Sequence, residues 1–328
     1  MKIVLSRLDR IGDLVLSTPA IASVRCSWPQ AHVTIVCSPY NASVVQGSPD
    51  VDEVVVLEAG TSPSKMGARF RGCDIAIALA PCTPDFLLVG ATRAYTRVGY
   101  TYRRRYFARL GAQLVLTQLL VSEADPDLCE RKPSYRVRHE VDQVLDLVTN
   151  AGGTRIVHEL AVTITEADRA AVAHLPPGSI AVHLAPRWLR DGSTLESFIA
   201  LLGGFRRFGL PIVVTHGVDV REQVAVIEAA GVADYIAGGL SFGQWAAAFA
   251  SARLVVTVDT GATHVASAMK RPTVVLFENR YFNLSSQEWA PYHVPAAALR
   301  KPADESAAAL AQSRESIVTA VERLLTYA

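Results

Sequence analysis

Cysteine is sparse. The five present (Cys26, Cys37, Cys73, Cys82 and Cys129) form an odd set with no C-x-x-C pair and none in the second half of the chain. That spacing argues against a disulfide framework or a zinc site, and a reducing cytoplasmic setting is expected. A surplus of one charge is missing too. With 32 basic against 31 acidic residues and a pI near 7.7, nothing pulls the whole chain toward nucleic acid or a membrane, so any electrostatic partner must be met by a local patch. No apolar run reaches transmembrane length, and Arg7, Asp9, Arg10 and Asp13 interrupt the opening stretch, which otherwise resembles a signal-peptide core. The G-x-G-x-x-G dinucleotide fingerprint is absent after the first strand, which argues against an NAD enzyme.

What remains is a chain of 328 residues, half of them hydrophobic, long enough for two domains with full cores. The stretch Leu254 to Phe277 organises it. Two β-branched apolar runs flank a segment whose Ala262, Val265, Ala266 and Met269 recur at helical spacing, so it reads strand, helix, strand in a parallel sheet. Asp259 is expected as the N-cap, Gly261 permits close approach of a ligand, and Lys270 and Arg271 suit the helix C-terminus before Pro272. The free N–H groups from Thr260 to Thr263 then offer a site for a phosphate, with His264 as a further donor. Asp259-Thr260-Gly261 also spells an aspartic-protease triplet. That chemistry needs a second triplet or a homodimer in an all-β fold, whereas this chain has one copy in an α/β pattern.

At the N-terminus, Lys2 to Ser6 reads as a strand, followed by a polar turn and a helix with Thr18-Pro19 suited to its cap and first turn. Strands at Ala31 to Cys37, Asp52 to Leu57 and Asp74 to Leu79 alternate with helices, which means a doubly wound sheet with ligands at the strand C-terminal ends, where Asp13 lies. Between Arg93 and Arg109, six arginines (Arg93, Arg97, Arg103, Arg104, Arg105, Arg109) are interleaved with aromatics and no acid intervenes. This reads either as a solvated loop or helix face, or as a contact for an anionic acceptor or inner-leaflet head groups; nucleic acid is a weaker third partner. The spacings Asp50/Asp52 and Asp125/Asp127 sit in proline turns, and no metal site is expected. A helix covers His139 to Thr149, Leu175-Pro176-Pro177-Gly178 marks a linker, and a second α/β series starts with a strand at Ser179 to Leu184 and ends in a helix over Arg314 to Leu325. Two similar lobes imply a cleft between strand ends.

Arg10-Ile-Gly12-Asp13-Leu-Val-Leu-Ser-Thr-Pro-Ala20 resembles the N-terminal signature of glycosyltransferase family 9, the ADP-heptose:lipopolysaccharide heptosyltransferases, and Val258 to Ala268 resembles that family's second signature. The resemblance implies a GT-B fold of two facing Rossmann-like domains: an acceptor-binding domain over 1–170, a donor-binding domain over 171–312, and a C-terminal helix over 313–328 packing back on the first domain. It also implies an inverting transfer of a sugar, heptose preferred, from a nucleotide diphosphate donor, ADP-heptose preferred, with no metal and no cofactor beyond that co-substrate. Asp13 matches the general base. Thr260, Gly261, Ala262 and His264 fall to the diphosphate, Asp259 to the sugar or its loop, and Leu240-Ser241 to the donor-contacting segment. Arg10, Gly12, Arg97, Arg103 and Arg104 are assigned to an anionic glycan or glycolipid acceptor, at the cytoplasmic face of the inner membrane. Two departures flank the donor. Asp191 stands where the family usually has lysine, leaving the charge to Arg187 or Arg190, and Glu278-Asn279-Arg280-Tyr281 replaces a glycine-proline turn. The alternatives are an epimerase or hydrolase of nucleotide sugars on the same architecture, and a non-catalytic nucleotide-sugar-binding protein.

Overall fold

The computed structural model describes residues 1–132 and 134–327. The chain divides into two units, Met1–Thr163 and Ile164–Ala328. In the first, β1 (Lys2–Arg7), α1 (Ile11–Ser27), β2 (His32–Cys37), β3 (Glu53–Val56), α2 (Pro63–Ala68) and β4 (Ile75–Ala78) are followed by α3 (Thr83–Thr92), β5 (Thr96–Tyr102), α4 (Tyr106–Val115) and β6 (Gln118–Ser122), with α5 (Pro126–Arg131) and α6 (Glu140–Asn150) closing it. Its six strands pair in parallel in the order β3-β2-β1-β4-β5-β6. Every connection between successive strands except that from β2 to β3 passes through an α-helix, and the strand order reverses between β1 and β4.

The second unit repeats that plan. After α7 (Glu166–Ala171) come β7 (Ile180–Leu184), α8 (Leu195–Phe205), β8 (Ile212–His216), α9 (Arg221–Ala230), β9 (Tyr235–Gly238), α10 (Phe242–Ser251), β10 (Leu254–Val258), α11 (Gly261–Ala268), β11 (Thr273–Phe277), α12 (Phe282–Glu288), β12 (Ala296–Arg300) and α13 (Ala307–Leu325). The order β12-β11-β10-β7-β8-β9, again all parallel, reverses between β10 and β7. The wholly buried runs Ile180–Val182 and Leu254–Val258 are apolar or β-branched throughout, as strands covered on both faces must be.

Four local expectations are corrected. The first helix starts at Ile11, so Pro19 lies inside it; the carbonyl of Val15, which Pro19 cannot engage, accepts instead from Thr18 Oγ1 at 2.8 Å. Division of the units falls after Thr163, ahead of the 175–178 turn, because Val172 and Leu175 pack with Val213, Ala247 and Ala248 of the second sheet's layer. The final helix begins at Ala307 rather than Arg314, and its Ile317, Val318, Val321 and Leu324 enter the second unit's own core beside Phe198 and Leu202. The arginine-rich stretch is neither loop nor a single helix: β5 runs through it and α4 follows.

The helix α11 ends in a Schellman arrangement, with Lys270 N–H donating to Ser267 O and Arg271 N–H to Ala266 O, both 3.0 Å. Lys270 holds φ at +58° there, a left-handed backbone that glycine adopts without penalty. Lys270→Gly should therefore stabilise the second unit by about 1 kcal/mol, read as a higher urea midpoint at unchanged slope.

Candidate functional site

In the first unit the C-terminal end of β1 delivers Arg7 to the point where strand order reverses, and α1 starts shortly after, at Ile11. Arg7 is 1 % exposed, yet it carries a full charge: burial works against the guanidinium, and Asp9, Glu140 and Asp13 outweigh it. Its Nε donates to Asp9 Oδ1 at 2.9 Å, Nη1 and Nη2 to Glu140 Oε1 at 3.1 and 3.2 Å, and Nη1 also to the Leu79 carbonyl beyond β4. Asp13 Oδ1 stands 3.6 Å from Nη2. Glu140 accepts in addition from the Tyr100 hydroxyl at 2.5 Å. One cation thus serves three carboxylates.

Asp13, in the first turn of α1, keeps 21 % of its side chain exposed. Burial pushes its carboxyl up to about 7; Arg7 pulls it down, while Asp9 and Glu140 push it further up. A carboxyl poised there takes a proton at neutral pH far more readily than an ordinary aspartate. Gly12 is buried behind it, and Arg10 is the exposed N-cap residue whose carbonyl receives Leu14 N–H. Asp85, in the first turn of α3, is wholly buried against Ser6 Oγ at 2.6 Å, and burial raises it to about 7 as well.

The basic stretch is mostly engaged. Arg97 bonds the Val115 carbonyl at 2.7 Å and the Ala94 carbonyl, tying down the end of α4; Arg103 pairs with Glu123, and Arg104 with Asp125 and Asp127. These pairs also take up the Asp125/Asp127 spacing, and Asp52 pairs with Arg25 at 2.6 Å. Among the described residues no three metal-binding side chains come together.

In the second unit the reversal point lies between β10 and β7, and the groups at those strand ends meet. Arg187, from the short helical turn Pro186–Leu189 after β7, donates through Nη1 to the Asp259 carbonyl at 2.7 Å and to its Oδ2 at 2.9 Å. Asp259 is therefore a salt-bridged side chain in the loop ahead of α11, and Thr260, not Asp259, occupies the N-cap, without a side-chain cap. Because Thr263 N–H bonds the Thr260 carbonyl at 3.0 Å, the head of the helix presents the amides of Gly261 and Ala262. The side chains of Ala262, Thr263 and His264 are buried.

Arg190 is exposed, its Nε 3.6 Å from Asp191. Leu240 is half-buried, and exposed Ser241 forms a capping box with Gln244 at the start of α10. His183, at the end of β7, contacts Thr215 Oγ1 at 3.0 Å and packs on Trp245; burial lowers it to about 4, so it stays neutral and adds no charge for an anion.

The residues that sequence reasoning missed are Arg7 as the hub, Glu140 and Lys301. Lys301 follows β12, its side chain fully buried, and its Nζ donates to the carbonyls of Arg187 and of Arg190 (2.8 Å) and pairs with Glu278 at 3.2 Å. Burial lowers its pKa, which Glu278 opposes. It puts a cation directly beneath the loop in which Asp191, left-handed at φ +53°, stands in place of the family's lysine. Glu278, one of the residues replacing the usual glycine-proline turn, is thus tied to that cation.

Comparison with known proteins agrees with the fold. Three solved structures share the fold over the whole chain: a glycosyl transferase of family 9 from Veillonella parvula DSM 2008 (TM-score 0.77, 21 % identity, covering 100 % of this chain and 98 % of that one), the E. coli ADP-heptose LPS heptosyltransferase II (0.73, 17 %, 100 % and 99 %), and the E. coli heptosyltransferase WaaC with ADP-2-deoxy-2-fluoro heptose (0.70, 18 %, 100 % and 99 %). Residues 194–317 match the family model described as Glycosyltransferase family 9 (heptosyltransferase). No curated protein sequence matches the chain. Fold and match together define a glycosyltransferase of the GT-B architecture. More particularly, the matched segment of its second unit is similar to glycosyltransferase family 9, the family both sequence signatures resemble. No described helix is long and apolar enough to cross a membrane.

Proposed function

We propose that the protein is an inverting, metal-independent heptosyltransferase that moves heptose from ADP-heptose to a hydroxyl of a lipopolysaccharide-type acceptor at the cytoplasmic face of the inner membrane. The observation that carries this reading is Asp13, a partly exposed carboxyl raised to about 7 and oriented by Arg7 at a strand-order reversal point. In the reaction Asp13 accepts the proton of the acceptor hydroxyl while that oxygen attacks the anomeric carbon. The bond from that carbon to the diphosphate oxygen breaks, and ADP leaves from the opposite face. Negative charge building on the diphosphate meets the amides of Gly261 and Ala262 and the guanidinium groups of Arg187 and Arg190. Arg187 also fixes Asp259 beside the sugar. The donor assignment draws on the relatives named for ADP-heptose or solved with its fluoro analogue.

A calorimetric titration with ADP, UDP and GDP, with magnesium and with chelator, repeated on Gly261→Trp, tests the donor half. ADP binding unaffected by chelator and weakened more than about tenfold by the indole at the head of α11 is the expected result. Preference for another base would discard the heptose donor, and no binding to any of the three would discard the donor site. Turnover of ADP-heptose with no acceptor present would instead favour the epimerase or hydrolase reading.

A further inference from the structure

The ten-residue helix α4 is inverted in its amphipathicity. Phe107, Leu110 and Leu114 recur at i, i+3 and i+7, so they share one face, and that face points to solvent: they are 91, 60 and 86 % exposed, with Tyr106 at 65 % beside them. Only Ala112 is buried. A Cβ added at Gly111 would meet open space. Such a cluster is unlike the isolated apolar residues that any surface carries. The helix is nevertheless firmly held, since Arg97 bonds the Val115 carbonyl at its C-terminal end and Arg105 bonds the Pro81 carbonyl at 3.1 Å at its N-terminal end.

We propose that this face of α4 is a membrane-docking surface whose partner is an anionic phospholipid bilayer, the helix lying in the head-group boundary. Charge selects this occupant. From Arg93 to Ser122 there are six arginines and no acid. Arg103 and Arg104 are paired with Glu123, Asp125 and Asp127, but Arg105 and Arg109, one turn apart along the helix, pair with no carboxylate among the described residues. Phenylalanine and leucine on one face with arginine at its flank is the composition that partitions into an anionic interface. A second copy meeting the same face about a two-fold axis would set arginine against arginine. At ten residues the helix is about 15 Å long, half the thickness of a hydrocarbon core, so it lies on the bilayer rather than across it.

Position adds a purpose. Arg105 reaches the segment after β4, whose Leu79 carbonyl is bonded by Arg7, the residue that orients Asp13. The N-terminal end of the docking helix, with Tyr106 and Phe107, therefore lies at the same C-terminal edge of the sheet as the candidate base, where an acceptor anchored in a bilayer would present its hydroxyl. This purpose rests on the proposed transferase reading; the binding itself does not.

The test is co-sedimentation with vesicles of phosphatidylethanolamine and phosphatidylglycerol, against vesicles of phosphatidylcholine alone, at low and high salt. The whole chain should bind the anionic vesicles, lose most of that binding at high salt, and bind phosphatidylcholine more than about tenfold more weakly. Phe107→Ser combined with Leu114→Ser should weaken anionic binding by more than about tenfold. A tryptophan at Phe107 should blue-shift on binding and be quenched by brominated acyl chains. Failure of the wild type to bind anionic vesicles, or unchanged binding by the double variant, overturns the proposal, as does a vesicle-free dimer that the double variant abolishes. An unchanged far-UV circular dichroism spectrum and urea midpoint show that the double variant remains folded, and an ADP titration judges the donor reading separately.

Discussion

Asp13→Asn is expected to lower kcat about 10²- to 10⁴-fold while leaving ADP binding intact, because the amide keeps the shape of the side chain but cannot accept a proton. The magnitude is that of a positioned general base, and the pH profile identifies it. Burial holds the Asp13 carboxyl at about 7, Arg7 notwithstanding, and the base is active only when deprotonated. The wild-type kcat/KM should therefore rise as pH increases toward about 7 and level off above it, and the residual activity of the asparagine variant should lack that limb. Following ADP release across pH with donor and acceptor present checks both. An unchanged rate in Asp13→Asn would reduce the residue to a bracket for the first turn of α1, and a limb surviving in the variant would assign the titration to another group, Asp85 being the nearest in value.

The parts of this arrangement that could be read from the chain are those written in local pattern. β1, β2, β7 and β10 announce themselves because a strand covered on both faces must be apolar at nearly every position, and α11 because its apolar period changes from continuous to helical at Gly261. Asp13 could be placed at a strand end for the same reason. The start of α1 was hidden by Pro19, whose usual place is the first turn; a hydroxyl from Thr18 satisfying Val15 O makes the interior position tolerable, and that compensation has no sequence signature of its own.

Contacts between distant residues were hidden altogether. Glu140 lies 133 residues from Arg7, and nothing in the residues around either one announces the pair. Lys301 follows an edge strand and reaches under the turn after β7, so a charge sought at Asp191 arrives from a residue 111 positions beyond its neighbour Arg190. The arginine stretch misled in a different way. Read as one patch, it suggested a single role, yet β5 and α4 send its members to separate tasks: Arg97 to backbone carbonyls, Arg103 and Arg104 to acids, Arg105 and Arg109 to the flank of an apolar face. Alternation within Thr96–Tyr102 was the available signal, masked because Gly99 has no side chain; a Cβ there would meet Leu116 Cδ1 at 2.8 Å.

Arg7→Leu should destabilise the first unit by about 3–5 kcal/mol, the cost of leaving buried carboxylates without their cation. Glu140 is 1 % exposed, the Leu79 carbonyl loses a donor, and Asp9 and Asp13 are left facing a carboxylate of their own sign. The loss should depend on pH in a defined direction. Asp13 already titrates at about 7 in the folded chain against 3.8 for an ordinary aspartate, and Arg7 is what pulls it down; without Arg7 its folded value climbs further. A folded state that binds more protons than the unfolded one loses stability as pH rises, so the deficit should be larger in mildly alkaline urea titrations than in mildly acidic ones. Replacing both partners, Arg7→Leu with Glu140→Leu, should recover part of the loss, since apolar groups of similar volume commonly match or exceed a buried pair by about 1–4 kcal/mol. If the double variant were no better than Arg7→Leu alone, the cost would lie in the Leu79 and Asp13 contacts rather than in the buried pair. Arg7 would then stabilise the fold through that carbonyl and Asp13 and not through Glu140.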